Sequence, residues 1–172
     1  YAKMPKNNIS SSRVIIIKTD VKNKKNALKI TKNVDFVVHL AAESGVDVSI
    51  SSPLRSFETN VIGAFNYLEA CRVNKIKRFI FASSGAVFGD IKPPLTESMT
   101  KSPISPYGSS KLSIETYSET FVNVFDMKAT ILRFSNAYGR YSKHKNSVIL
   151  KFIKQANNNE PLCINGDGYH TR

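Results

Sequence analysis

The stretch RFIFASSGAVFGD, residues 78–90, predicts the fold, because an apolar run passes directly into serines and small residues. The run from Phe79 to Ala82 has the length and composition of a strand that is buried on both faces of a sheet. Ser83 and Ser84 follow it at the position where open parallel sheets bind their ligands. The stretch therefore predicts a parallel strand with a candidate functional site at its carboxyl end.

On both sides of this stretch, short apolar runs alternate with longer amphipathic segments, which is the pattern of β-α units. The predicted strands lie at residues 13–18, 35–40, 78–82, 129–133 and 162–164. The predicted helices lie at residues 24–31, 53–73, 106–125 and 147–157. The sequence thus predicts an α/β fold built on a doubly wound, Rossmann-like parallel sheet.

The charge balance is strongly basic, with 25 Lys and Arg against 13 Asp and Glu and a net charge of +12. Such a charge is compatible with nucleic-acid binding. The basic residues, however, are scattered in stretches such as VKNKKNALK, residues 21–29, without an RNA-binding or recognition-helix motif. A lysine-rich surface is the simpler interpretation, and nucleic acid is not the expected partner.

Apolar runs and cysteines bear on the cellular compartment. No run approaches the roughly 20 residues that a membrane-spanning helix needs, so no membrane partner is expected. The chain opens with YAKMPKNN, without an apolar signal core or an initiator methionine, and is expected to begin downstream of the native N-terminus. Cys71 and Cys163 lack metal-ligand spacing and suit a reducing environment. These features predict a cytoplasmic protein without a metal site.

The stretch SPYGSSKLSIE, residues 105–115, places a tyrosine and a lysine one helical turn apart. Ser105 can cap a helix whose first residue is Pro106. Tyr107 and Lys111 then share one face, where the ammonium and the helix N-terminus would lower the pKa of the phenol. Such a tyrosine can take a proton from a hydroxyl while hydride leaves the same carbon. The spacing alone is a weak signal, because many solvated helix faces contain it by chance.

Small and polar residues also follow the other predicted strands. HLAAESG, residues 39–45, ends one strand in small residues that let a backbone approach a pyrophosphate closely. Asp20 follows the first predicted strand, and Asn60 lies on the helix after the second. Each residue alone is explained more simply as a turn or a helix cap. With Ser84 and Tyr107, however, they form one constellation at the carboxyl edge of the predicted sheet.

Seven motifs occur in order over nearly the whole chain: TDV, HLAAESG, PLRSFETNVIGAFNYLEACR, RFIFASSGAVFGD, SPYGSSKLSIE, LRFSNAYGR and INGDGYHTR. In this order and at this spacing the chain resembles the NAD-dependent epimerase/dehydratase family of extended short-chain dehydrogenases, and most of all its UDP-glucose 4-epimerases. The resemblance covers residues 19–172 and implies an NAD-dependent enzyme acting on a nucleoside-diphosphate sugar. Phe88 stands where tyrosine is common and Arg140 where proline is common, which leaves the sugar preference open.

The resemblance also implies roles for individual residues. Ser84 would assist the catalytic base Tyr107, and Lys111 would orient the nicotinamide ribose and lower the pKa of Tyr107. The residues implied to bind NAD, besides Tyr107 and Lys111, are Asp20, Val21, Leu40, Ala41, Ala42, Asn60 and Phe134. The residues implied to bind the nucleotide sugar are Ser84, Asn136 and Arg172. A guanidinium at residue 172 suits a diphosphate.

The family's first strand and its glycine-rich phosphate turn have no counterpart in this sequence. The resemblance therefore assigns residues 1–146 to part of an NAD-binding domain and residues 147–172 to the beginning of a nucleotide-sugar-binding region. Because dinucleotide affinity depends on the glycine turn, residues 1–172 alone are expected to bind NAD poorly and to associate through exposed apolar surface. The complete enzyme is expected to be a homodimer.

The residues after the catalytic serine bear on the reaction. A 4,6-dehydration needs an added acid and base beside the sugar, and the dehydratases of this family carry Asp-Glu directly after the serine or threonine. Here these positions are Gly85 and Ala86, which favours epimerisation at C4. Three alternatives stay open: decarboxylation of a UDP-glucuronate, another nucleotide-sugar dehydratase reaction, and a non-catalytic NAD- or RNA-binding relative.

Overall fold

The computed structural model describes residues 14–137, 139, 147–164 and 166–169. Within these residues, three parallel strands form one sheet: β1 (Phe36–His39), β2 (Arg78–Ser84) and β3 (Lys128–Phe134). Their order in the sheet is their order in the sequence, with β2 in the centre. Helical connections lie between successive strands, as parallel pairing requires. The prediction of an α/β fold with a Rossmann-like parallel sheet is confirmed.

The α-helices of the described residues are α1 (Lys24–Ile30), α2 (Val46–Ser51), α3 (Pro53–Phe57), α4 (Gly63–Val73), α5 (Pro106–Phe125) and α6 (Val148–Asn157). A π-helical turn, Glu58–Ile62, joins α3 to α4 and divides the single helix predicted at residues 53–73. Helix α2 is not predicted by the sequence, because its alternating valines and isoleucine favour extended structure. Predicted helix starts at Ser105 and Ser147 are correct, since each serine accepts a capping hydrogen bond.

The core lies between the sheet and the two long helices α4 and α5. Phe79 and Phe81 alternate along β2 and are 0% and 1% exposed. They pack in one cluster with Leu68 of α4 and Ile114 of α5. Burying side chains of this size contributes about 1.5 to 3 kcal/mol each, so this cluster fixes both helices against β2.

The register of the sheet brings the carboxyl ends of its strands together. Phe81 of β2 is level with His39, the last residue of β1, and Ser84 is level with Phe134, the last residue of β3. The chain segments that follow all three strands therefore open on the same edge, where parallel α/β sheets bind their ligands.

Two of the predicted strands are wrong. Residues 14–18 and 162–164 form no strand, and Arg13 lies outside the described residues. The apolar side chains of residues 14–17 are between 45% and 86% exposed. A strand needs a neighbour for its backbone hydrogen bonds, and none of the three described strands pairs with either segment. An apolar, β-branched composition alone is therefore not sufficient for a segment to form a strand.

Candidate active site

The last residue of β2, Ser84, lies against the first turn of α5. Its side chain lies within interaction range of the Tyr107 phenol, because it acts to lower the pKa of that group. Its Oγ also accepts a bond from the backbone N–H of Ala86 at 3.2 Å, which caps the short 3-10 turn Gly85–Phe88. The structure therefore brings together the serine and the tyrosine that the sequence selects as catalytic.

Helix α5 approaches this turn closely because residue 108 is glycine. A Cβ at Gly108 would lie 2.5 Å from the carbonyl oxygen of Ala86, which is too close for any other residue without a shift of the backbone. Ser105 caps the helix, and its Oγ accepts from the Gly108 N–H at 3.1 Å. Ser49 of α2 adds a further contact, because its Oγ accepts from the Tyr107 N–H at 3.0 Å. These contacts fix the position of Tyr107.

Lys111 lies one turn further along α5 and is 3% exposed. Its Nζ donates to the carbonyl of Ala82 at 2.8 Å. The same nitrogen lies 4.9 Å from the ring centre of Phe81 and 5.7 Å from that of Tyr107. Burial lowers the pKa of Lys111 to about 8, so the side chain is still largely protonated at neutral pH. A buried cation thus lies directly against the candidate base.

The pKa of Tyr107 differs from the prediction made from the sequence. Burial raises this pKa above its ordinary value of 10.0, and the hydrogen bond with Ser84 offsets the rise only in part. The predicted lowering by Lys111 and the helix N-terminus is therefore wrong for this structure. The reason is that desolvation of a phenolate is costly, while the Lys111 ammonium is engaged by the Ala82 carbonyl.

Asn60 is buried in the π-helical turn and holds the loop that follows β1. The Glu43 N–H donates to its Oδ1 at 2.7 Å, and its Nδ2 donates to the Glu43 carbonyl at 3.0 Å. The Nδ2 also donates to Ser110 Oγ of α5 at 3.1 Å. Only 1% of Asn60 is exposed, so in this structure its amide shapes the loop at residues 40–45. π-Helical turns of this kind are frequent at functional sites.

Most other residues implied in cofactor or sugar binding lie around the same edge. The loop after β1 contains Leu40, Ala41 and Ala42. Phe134 ends β3 beside Ser84 and is 48% exposed, and Asn136 follows it on the surface. The prediction for Arg172 lies outside the described residues.

Asp20 and Val21, which the resemblance places on the adenine side of NAD, lie beside α4. The Nδ2 of Asn66 donates to the Val21 carbonyl at 3.2 Å. A Cβ at Gly63 would lie 2.6 Å from Cγ2 of Val21, so glycine permits this close approach. The Asp20 side chain is exposed and accepts a bond from the Lys22 N–H at 2.9 Å. Both residues are therefore fixed near the first turn of α4.

Sequence reasoning missed an ionic cluster directly behind Ser84, the candidate catalytic serine. Ser83 donates to Glu115 at 2.5 Å, and the guanidinium of Arg133 pairs with the same carboxylate at 2.8 Å. The side chains of Glu115 and Arg133 are only 5% and 17% exposed. A signal was present, because Glu115 follows Tyr107 by eight residues and thus lies two turns along the same helix face.

His39, the last residue of β1, was also missed. It is 4% exposed, and its ring lies 5.3 Å from that of Tyr67 and 6.1 Å from that of Phe81. Burial, together with the positive charge of Lys111, lowers the pKa of His39 to about 4. The imidazole is therefore neutral at physiological pH and acts as an aromatic member of the core.

Other features of the described residues do not add to this cluster. A groove of about 500 Å³ lies on the outer face of α5, where Leu112, Ser113 and Thr116 form part of its lining. The described part of the chain contains no group of three or more His, Cys, Asp or Glu side chains that could hold a metal ion. None of its helices is both long enough and apolar enough to cross a membrane.

Comparisons with known proteins agree with the motifs. Over residues 2–172 the chain matches the NAD dependent epimerase/dehydratase family. It is 37% identical over 172 residues to a protein of Methanocaldococcus jannaschii named "Putative UDP-glucose 4-epimerase", covering 97% of this chain and 56% of the relative. It is 34% identical over 146 residues to the human dTDP-D-glucose 4,6-dehydratase, covering 83% of this chain and 41% of that protein.

A solved structure extends the similarity to three dimensions. The UDP-N-acetylglucosamine 4-epimerase from Methanobrevibacter ruminantium M1, in complex with UDP-N-acetylmuramic acid, superposes with a TM-score of 0.88 at 37% identity. The match covers 94% of this chain and 53% of the solved one, so the chain spans about half the length of its relatives. With the family match over residues 2–172, these findings show that the chain belongs to the NAD-dependent epimerase/dehydratase family.

Proposed function

We propose that the complete protein is an NAD-dependent 4-epimerase of a nucleoside-diphosphate sugar, most like UDP-glucose 4-epimerase. The observation that carries the proposal is the meeting of Ser84, at the end of β2, with Tyr107 in the first turn of α5, with the buried ammonium of Lys111 one turn away. The three groups meet at the carboxyl edge of the sheet, where parallel α/β sheets bind their ligands. Proton transfer to and from a sugar hydroxyl is the chemistry that such a trio supports.

The residues present fit a dinucleotide. The loop after β1 carries the small side chains of Ala41 and Ala42, and Asn60 holds its backbone through two hydrogen bonds with Glu43. Small side chains on a fixed loop allow a pyrophosphate to approach the backbone closely. The residues that would hold NAD are Asp20, Val21, Leu40, Ala41, Ala42, Asn60, Tyr107, Lys111 and Phe134. When bound, NAD supplies the acceptor and donor of hydride.

Within this proposal Tyr107 exchanges a proton with the sugar hydroxyl at C4. Ser84 is placed to hold that hydroxyl, because its side chain lies within interaction range of the tyrosine. Lys111, whose pKa is about 8, remains largely cationic at neutral pH and favours the phenolate once substrate excludes water from the edge. The raised pKa of Tyr107 keeps the phenol in its protonated form, which holds the proton that is returned to the sugar.

The choice of epimerisation over dehydration rests on side chains next to Ser84. Gly85 and Ala86 follow it in the 3-10 turn and can neither donate nor accept a proton. The carboxylate of Glu115 lies next to Ser83, but both of its oxygens already accept hydrogen bonds from Ser83 and Arg133. Dehydration would need a free acid and base at this place. The similarity to a 4,6-dehydratase makes this distinction the part of the proposal that most needs a test.

Several further predictions belong to this proposal. Asn136 and Arg172 would bind the nucleotide sugar, with the guanidinium on its diphosphate. Residues 1–146 would form part of the NAD-binding domain, and residues 147–172 would begin the nucleotide-sugar-binding region. A cytoplasmic location and a homodimer are proposed for the complete protein.

The test is to incubate the complete protein with UDP-glucose, UDP-N-acetylglucosamine and UDP-glucuronate in turn and to follow the sugars by NMR. A C4 epimer from at least one of them is expected. A 4-keto-6-deoxy product without any C4 epimer would assign a dehydratase instead, and loss of carbon dioxide from UDP-glucuronate would assign a decarboxylase. Salt-dependent RNA binding without turnover of any sugar nucleotide would favour a non-catalytic relative.

A further inference from the structure

Three residues at successive turns of α5 each contact one of the last three residues of β2. Tyr107 lies within interaction range of the Ser84 side chain, and Lys111 donates to the carbonyl of Ala82 at 2.8 Å. Glu115, one turn further on, accepts from the hydroxyl of Ser83 at 2.5 Å. The helix that carries the candidate base is thus aligned with the strand that carries the candidate serine at three points.

The third point depends on an ion pair. Arg133 of β3 donates to Glu115 through Nε at 3.0 Å and through Nη2 at 2.8 Å. Its Nη1 donates to the carbonyl of Glu97, at 3.1 Å, in the loop that leads into α5. Its guanidinium also lies 5.0 Å from the ring centre of Phe88, which ends the turn after Ser84. One guanidinium therefore connects β3, α5, the serine turn and the loop before α5.

Stability alone is a weak reason for such an arrangement. Taking a carboxylate and a guanidinium out of water is costly, and an apolar pair of similar volume is often as stable or more stable. A bidentate pair instead supplies direction, because the planar fork of arginine fixes the orientation of the carboxylate. Ser84 is then held on both sides, since Glu115 fixes the preceding residue and Arg133 contacts Phe88 at the end of the following turn.

We propose that Glu115 and Arg133 are positioning residues, which set the alignment of α5 with the end of β2 and so hold Ser84 against Tyr107. The proposal rests on the proposed function, because it concerns the geometry of that same site. A displacement of about 1 Å in a catalytic group can reduce turnover by about 10²-fold, so a pair that never touches substrate can act on kcat.

The first experiment changes each partner of the Glu115–Arg133 ion pair in the complete protein. Glu115→Gln keeps the shape of the side chain and removes its charge, and Arg133→Lys keeps the charge and removes the fork. We expect kcat for the C4 epimerisation to fall by about 10- to 100-fold in both variants, with KM changed by less than about threefold. A larger effect on KM than on kcat would contradict the proposal.

The matched control is Glu69→Gln on α4. Glu69 pairs with Arg72 through bonds of 2.6 and 2.7 Å, and the Arg72 guanidinium lies 5.1 Å from the ring of Phe125. This pair has the same chemistry as the other but contacts neither Ser84 nor its turn. Its loss is expected to leave kcat unchanged. An equal fall of kcat in Glu69→Gln would mean that the loss of any such ion pair lowers activity. That result would contradict a positioning role for Glu115 and Arg133.

The second experiment needs no turnover and therefore separates this inference from the proposed function. Trace acetylation with acetic anhydride over a pH series, followed by mass spectrometry, gives the pKa of Lys111. The titratable groups that face its ammonium are His39 on β1 and Tyr107 on α5. If Glu115→Gln loosens the alignment, water reaches Lys111 and its pKa rises from about 8 toward the ordinary 10.5.

The direct electrostatic effect has the opposite sign, because removal of a neighbouring negative charge lowers the pKa of a lysine. A rise therefore supports the positioning role, whereas a fall or no change overturns it. Ser83→Ala removes only one hydrogen bond and keeps the ion pair, so it serves if Glu115→Gln does not fold. Like Glu115→Gln, Ser83→Ala should raise the pKa of Lys111 and lower kcat. Unchanged values of both would overturn the proposal.

Discussion

Strand β2 and the segment at residues 14–17 both contain a short apolar run, but the two runs have opposite environments. Phe81 and Ser83 are 1% and 4% exposed, whereas Ile15 and Ile16 are 86% and 61% exposed. Both segments are rich in residues that favour strands, so composition does not distinguish them. The neighbouring strands distinguish the two segments, because β2 lies between β1 and β3 while no described strand pairs with residues 14–17. An apolar run becomes a buried strand only where other segments supply hydrogen bonds and cover.

The same comparison separates the candidate site from the rest of the chain. Ser84, Tyr107 and Lys111 are fixed by contacts among α2, α5 and the carboxyl end of β2. The outer edge of the sheet is less protected, since Phe36 and Val38 of β1 are 54% and 46% exposed. Substitutions at the site should therefore have large effects, whereas equivalent substitutions in the exposed segment should have small ones.

The largest expected difference concerns turnover. Tyr107→Phe keeps the ring and removes the hydroxyl next to Ser84, and proton transfer by such a group typically contributes about 10²- to 10⁴-fold. We expect kcat of the complete protein to fall by this factor, while calorimetry shows little change in NAD and sugar-nucleotide binding. Tyr117→Phe, on the exposed side of the same helix, is the matched control and should keep full activity. An unchanged kcat for Tyr107→Phe would show that another group is the base.

A pair of isoleucines tests the difference in burial directly. Ile114 is 0% exposed and Ile15 is 86% exposed. Ile114→Ala should lower the free energy of unfolding by about 2 to 5 kcal/mol, because it opens a cavity beneath β2. Ile15→Ala should change it by less than about 0.5 kcal/mol. Urea unfolding of the 172-residue chain measures both, and equal losses would contradict the assignment of the core.

Acid should destabilise the protein through His39. Its pKa of about 4 in the folded state is below the ordinary 6.5, so between these pH values only the unfolded chain takes up the proton. The free energy of unfolding should therefore fall as the pH drops from 6.5 to 4, by about 3 kcal/mol for this one group. The measurement is urea unfolding across this range. His39→Gln, which does not titrate, should flatten this part of the profile, and an unchanged slope would exclude His39 as the cause.

The smallest expected effect concerns the close contact between α5 and the serine turn. Gly108→Ala gains about 1 kcal/mol of helix propensity but places a Cβ 2.5 Å from the Ala86 carbonyl, an overpacking that costs about 1 to 3 kcal/mol. We expect a net loss of about 0 to 2 kcal/mol in the free energy of unfolding and a loss of about tenfold in kcat, because α5 must move away from Ser84. The neighbouring exposed Ser109→Ala is the control. Full activity in Gly108→Ala would show that the site tolerates this displacement.

Features that depend on a few consecutive residues could be predicted from the sequence. The start of α5 at Ser105 and Pro106 follows from capping preferences, and the i, i+4 spacing correctly places Tyr107 and Lys111 on one face. The π-helical turn around Asn60 could not be predicted, because it forms where that side chain bonds Glu43 and Ser110, which are distant in sequence. The ion pair of Glu115 with Arg133 was missed for the same reason.

The sequence by itself determined the family, the parallel α/β class and the identity of the candidate catalytic residues, because ordered motifs and short-range periodicity contain that information. Only the tertiary structure decided whether residues 14–18 form a strand, which groups fix Ser84, and in which direction the pKa of Tyr107 shifts. The physical reason is that hydrogen-bond partners and desolvation are set by several chain segments together. A lysine four residues away favours the phenolate, but the burial that opposes it comes from the packed surroundings as a whole.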